Sequence, residues 1–201
     1  VSKPNPGDRA NGPGAWPTLG RSVDMAEITA LGETRTSPSH LAAGDAVAEW
    51  LASAHPSPSA VRREWESAAK LALIPLGSAF AAVRLPYRIV HAAVESDDTY
   101  VVHGRLAQYL HGGPVIHDPG FCRYYALVPP GTADAWPAPV VECLGAGTYL
   151  GVPSTDRTEF DDSARSAYWL VPMTRPGRLC QAADVVTLVM LGGCLSEDDE
   201  S

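Results

Sequence analysis

Lysine is scarce in this chain. It occurs only at positions 3 and 70, so 13 of the 15 basic side chains are arginine. A GC-rich coding preference accounts for that bias, and so does a need for guanidinium forks that hold phosphate bidentately; both readings stay open. Clustered positive charge is missing as well. Arg62-Arg63 is the one adjacent basic pair, and the 23 Asp and Glu residues leave a net charge of −8. A groove that tracks phosphates needs a dense basic patch, so global steering of nucleic acid is disfavoured, although a local patch is not excluded. No apolar run reaches the roughly 18–20 residues of a membrane span, and no membrane partner is expected. The first residues lack the apolar core of a signal peptide, so export is not expected and the cytoplasm is the expected compartment. Cysteine is also sparse: Cys122, Cys143, Cys180 and Cys194 form no C-x-x-C pair and no framework spacing. Free thiols are therefore expected, while His117, Cys122 and Cys143 supply, at loose spacing, the ligand types of a tetrahedral zinc site.

What is present suits one domain of ordinary size: 201 residues, 45% of them hydrophobic. Residues 1–39 are punctuated by Pro and Gly with little apolar periodicity beyond Met25–Leu31, which predicts a disordered or loosely attached arm. Residues 194–201 hold Glu197, Asp198, Asp199 and Glu200 and predict a solvated acidic tail. The domain is expected between them, over 40–193. Leu41, Val47, Trp50, Leu51 and Ala54 fall at helical spacing up to His55-Pro56. A second helix is predicted from Ser59, a short strand over 71–75, a short helix opened by Leu85-Pro86, and a further helix after Asp97-Asp98, stopped by Gly112-Gly113. The second half turns to short β-branched and aromatic runs at 114–117, 121–128, 140–144, 149–152 and 168–171, with a last helix over 185–191. Helices followed by a meander predict an α+β fold, with N-terminal helices packed on one face of a mostly antiparallel sheet.

Two strand–turn–strand units carry the side chains of most chemical interest. The first is Gly113-Pro-Val-Ile-His-Asp-Pro-Gly-Phe-Cys-Arg-Tyr-Tyr-Ala-Leu-Val128, a hairpin turning at Asp-Pro-Gly, in which Arg123 and Tyr125 share a face. The second is Val141-Glu-Cys-Leu-Gly-Ala-Gly-Thr-Tyr-Leu-Gly-Val-Pro153, with Glu142 just before its turn. Arg123 for an anion, Tyr125 and Tyr149 as aromatic walls and Glu142 for a proton or metal define a candidate ligand cleft. The competing reading is a half-solvated sheet face with packed tyrosines. Asp97-Asp98 reads as a helix cap. A Cys122 nucleophile assisted by His117 would need an exposed thiol of lowered pKa.

These two units resemble, in diverged form, the N-terminal domain of bifunctional DNA primase/polymerases (prim-pol) of the actinobacterial type. Arg123-Tyr-Tyr-Ala-Leu-Val128 is similar to that family's Arg-His-Leu-Tyr-Phe-like strand. Val141 to Tyr149, followed by Val152-Pro-Ser154, resembles its Leu-Asp-Leu-Arg-Gly-Asp-Gly-Gly-Tyr strand–turn–strand and the Pro-Pro-Ser after it. Tyr168-Trp169 resembles its closing strand. The resemblance spans about residues 40–175 in element order and 110–172 in motif. It implies a prim-pol-like α+β fold and a site for nucleotides and divalent metal.

The same comparison implies a degenerate site. Active members hold metal through an Asp-x-Asp pair on an early strand and a later acid, and use a His near the incoming phosphates. The segment for the pair reads Ala82-Val-Arg-Leu-Pro86, the His position reads Tyr124, and the later acid remains as Glu142. Nucleotidyl transfer uses two ions about 3.5–4 Å apart, each wanting several oxygen ligands, so polymerase chemistry is not expected and no cofactor is required. The leading expectation is a non-catalytic module that binds a nucleotide, a nucleic-acid end or a protein partner. The alternatives are a residual nucleotidyltransferase holding Mg or Mn through Asp118, His117 and Glu142, and a pure protein-interaction module.

Overall fold

The computed structural model describes residues 38–160 and 165–198. Two helices open at prolines, residues tolerated where a helix has no use for an N–H: α1 (Pro38–Ser53) and α2 (Pro58–Glu66). Val61 and Trp65, four residues apart on α2, are both buried. Next come β1 (Leu71–Pro75), β2 (Ala81–Pro86), α3 (Tyr87–Val94) and α4 (Thr99–Tyr109). The second half holds β3 (Val115–Asp118), β4 (Arg123–Val128), a 3-10 turn (Pro130–Ala135), β5 (Glu142–Leu144), β6 (Tyr149–Pro153), β7 (Tyr168–Val171) and α5 (Ala182–Asp198). Among the described residues no helix is long and apolar enough to cross a membrane.

The fold is α+β. Five strands form one sheet in the order β5-β2-β4-β3-β7, and β1 and β6 form a separate two-stranded ribbon. Every strand pairing among the described residues is antiparallel. One face of the large sheet, carrying Val83, Leu85, Tyr124 and Ala126, packs with Ile89 of α3, Leu106 of α4 and Val189 of α5. The other, carrying Ala82, Ile116, Leu127 and Trp169, packs with Ile74 and Leu150 of the ribbon and with Leu51 and Trp65 of the first two helices. Two indole N–H groups tie this second layer together: Trp65 Nε1 donates to the Val152 carbonyl at 2.9 Å, and Trp169 Nε1 to that of Pro153 at 3.1 Å.

Three expectations are corrected. Helices were expected on one face of the sheet, yet both faces are covered. Ala81–Val83 of β2 and Ala126–Val128 of β4 are apolar and buried in succession, so both faces are covered there, while Arg84 and Arg123 stay partly exposed nearer the other end. The last helix was expected over 185–191 and the acidic tail from 194, yet α5 runs on to Asp198 through Gly192-Gly193. Packing overrides the poor helix propensity of those glycines, because Gly192 lies directly against the Ile89 carbonyl of α3. β2 was implied as a strand by the resemblance alone and not read from the residue pattern, and Pro86 is the N-cap residue of the helix after it. The arm expected over 1–39 falls outside the described residues, apart from residues 38 and 39 at the start of α1.

Asp98 bears out the cap reading. Its Oδ1 accepts from the Tyr100 and Val101 N–H groups at 2.9 and 3.0 Å. Asp98→Ala should lower stability by about 1 kcal/mol, read as a lower urea midpoint at unchanged slope.

Candidate functional site

Alternation along strands decides which side chains meet. On the face shared with the ribbon, register aligns one row across the sheet: Glu142 of β5, Arg84 of β2, Tyr125 of β4, Ile116 of β3 and Trp169 of β7. The row runs from solvent into the core. Trp169 and Ile116 are buried and Tyr125 is half-buried, whereas Arg84 and Glu142 form an ion pair whose side chains stay 37% and 53% exposed. Arg123, two residues before Tyr125, shares that face at the sheet end and faces Asp118 across the hairpin. Its guanidinium lies 5.8 Å from the centroid of the Phe121 ring, which is largely exposed. Burial pushes the Asp118 carboxyl up, opposed by the Phe121 and Gly120 N–H groups it accepts from and by the Arg123 charge. Cations and aromatic rings therefore share one accessible sheet face, a combination suited to an anion with an attached ring.

The candidate cleft is thus assembled in part. Arg123, Tyr125 and Glu142 lie on one face, joined by Arg84, which the sequence reading passed over. Tyr149 does not join them. Its neighbours Leu150 and Val152 point into the core, so Tyr149 stands on the outer face of the ribbon, exposed.

The metal set does not assemble. Glu142 and Asp118 lie on strands three places apart in the order β5-β2-β4-β3, roughly 14 Å at about 4.8 Å per strand. His117, next to Asp118, points to the opposite face. The zinc set fails for the same reason, since Cys143 on β5 is equally far across the sheet from His117 on β3. Among the described residues no three His, Cys, Asp or Glu side chains group to hold a metal ion. The donor set does not fit the divalent ions the resemblance implies, because Glu142 already carries a guanidinium.

On the far face His117 lies within a ring of aromatic side chains. Its Nδ1 is 2.7 Å from the Tyr168 hydroxyl, and its Nε2 bonds the Tyr87 hydroxyl. A neutral imidazole donates from one nitrogen and accepts at the other, so one tyrosine accepts from His117 and the other donates to it. The ring stacks on Tyr124 at 4.4 Å, and the Tyr124 hydroxyl reaches His91 Nε2 at 3.1 Å. Burial, helped by nearby His91, pushes His117 down to about 4. Burial likewise pushes Tyr87 up to about 12 and raises Tyr124 and Tyr168. All four groups are neutral at pH 7; Tyr87 and Tyr168 satisfy the two His117 nitrogens, and His91 partners the Tyr124 hydroxyl. With both nitrogens engaged, His117 serves neither as a metal ligand nor as a base for Cys122, which is exposed in the hairpin turn.

Two signals for these contacts were present in the sequence. Tyr87 and His91 stand four apart on a short helix, and an Asp-Pro-Gly hairpin of this length pairs His117 with Tyr124. Arg84 had none of its own, because its partner lies 58 positions later. No family model matches the chain, and neither a curated protein nor a solved structure does.

Proposed function

We propose that this domain is a catalytically degenerate, prim-pol-like module that binds a phosphate-bearing ligand, a nucleotide or a nucleic-acid end, on the Arg84–Arg123–Tyr125 face. The observation that carries this reading is the Arg84–Glu142 pair. The resemblance implies metal-holding acids on the β2 segment and at Glu142. Here β2 offers a guanidinium instead, a permanent cation that attracts phosphate and has no vacant coordination position with which to activate a nucleophile. Arg123 adds a second fork at the sheet end, and Tyr125 and Phe121 offer ring faces for a base. Residual nucleotidyl transfer is the weaker reading. Its two ions need shared carboxylates, and Glu142 and Asp118 are too far apart to share one.

Thermal denaturation tests this directly. ATP or a 5′-phosphorylated single-stranded oligonucleotide at a thousandfold excess over Kd stabilises a binder by about 4 kcal/mol. A melting temperature that rises with ligand and no longer rises in Arg123→Ala is the expected outcome. No rise with any nucleotide or oligonucleotide ends this reading.

A further inference from the structure

Arg84 and Glu142 are register partners on neighbouring strands, both on the face shared with the ribbon and both partly exposed at the sheet's β5 edge. Arg84 also stands beside Tyr125 in the same row, so an anion entering there meets a guanidinium with a carboxylate already on it. We infer that the Arg84 guanidinium is a phosphate fork for which Glu142 is an intramolecular competitor, and that ligands ending in a dianionic phosphate monoester displace it more readily than singly charged anions because of their own greater charge. The inference rests on the phosphate-binding reading above.

Charge arithmetic supplies the selectivity. A phosphodiester or a carboxylate that displaces Glu142 exchanges one monoanion for another and gains little at Arg84. A terminal phosphate monoester, whose second pKa is about 6, brings close to two charges at pH 7 and three acceptor oxygens for the guanidinium's donors. Displacement costs little on the protein side, because a solvent-exposed ion pair adds little stability. Glu142 is the first residue of a three-residue strand at the sheet's edge, so its side chain can swing into water without breaking a central pairing. Arg123 faces Asp118 across the hairpin but forms no ion pair among the described residues, its guanidinium lying over the Phe121 ring, and it provides attraction without discrimination.

The test compares 5′-AMP with adenosine 3′,5′-cyclic monophosphate, which share base and ribose and differ in a dianionic against a monoanionic phosphate. Calorimetric titration of the full chain at pH 7.5 should give AMP an affinity about tenfold higher, the size of a single pKa-unit or 1.4 kcal/mol preference. Glu142→Gln, which keeps the side-chain shape and removes the charge, removes the competitor for both ligands and should tighten AMP and the cyclic nucleotide alike, by about threefold. Arg84→Lys, which keeps the charge and loses the fork, should weaken AMP. A 5′-phosphorylated dinucleotide in the same titration separates the sources: tighter binding than AMP assigns a nucleic-acid end, weaker binding assigns a free nucleotide, and either supports the inference. Unchanged affinities for both nucleotides in Glu142→Gln overturn the competitor role, and equal affinities of wild type for AMP and the cyclic nucleotide overturn the charge preference, while either leaves the phosphate-binding reading standing. Failure of every probe to bind wild type and Glu142→Gln alike overturns both.

Discussion

Gly192→Ala should destabilise the domain by roughly 3 kcal/mol, against the ordinary helix preference for alanine. A Cβ at Gly192 would lie 2.0 Å from the Ile89 carbonyl oxygen and 2.8 Å from its carbon. Backbone cannot rotate aside as a side-chain tip does, so α5 and α3 must separate, loosening Val185, Leu188 and Val189 from their shared core. The neighbouring glycine is the control. A Cβ at Gly193 meets nothing within 4 Å, so Gly193→Ala should be neutral or stabilise by up to about 1 kcal/mol through helix propensity. Urea unfolding of both variants measures the contrast. Equal stabilities would refute the close packing of these helices.

Acid should weaken the fold through His117. Its folded value of about 4 lies below the ordinary 6.5. Between those values the unfolded chain takes up a proton that the folded chain refuses, so the associated stability is complete above pH 6.5 and drains away as pH falls toward 4. Carboxylates blur this window: the Lys70 partner holds Asp156 low and the Arg62 partner holds Glu49 low, and both groups lose stability as they protonate. His117→Gln isolates the imidazole, because an amide still offers Tyr87 and Tyr168 one donor and one acceptor but does not titrate. Between pH 7 and pH 4.5, wild type should lose about 2 kcal/mol more than His117→Gln in urea unfolding. Parallel losses would mean that the imidazole is protonated freely within the fold.

Legibility in the sequence followed locality. The Asp98 cap needs only the residues just after it, and the strand over Tyr168–Val171 announces itself as a contiguous run of large apolar side chains. β2 was harder. Its Ala-Ala-Val-Arg-Leu-Pro sequence has two weak strand formers and is buried on both faces, which erases the two-residue period a half-exposed strand shows. The helix expected over 185–191 fell short of Gly192-Gly193, whose intrinsic helix propensity is poor, and only the nearness of α3 carries it onward. For the site, alternation within the first hairpin was enough to put Arg123 and Tyr125 on one face. The partnership of Glu142 with Arg84, the loss of Tyr149 and the sequestration of His117 all depend on which strands become neighbours, and strand order is a property of the whole chain.

That order has a consequence for synthesis. Among the described residues β1 pairs with β6 alone, so Leu71–Pro75 waits for Tyr149–Pro153 to be made. β2 likewise waits for both β4 and β5, and the layer over the second face of the sheet cannot seal until Trp169 arrives. Long loops must close before these contacts repay the entropy lost, which slows folding. A nascent chain halted before residue 149 would leave the ribosome with Ala72 and Ile74 uncovered.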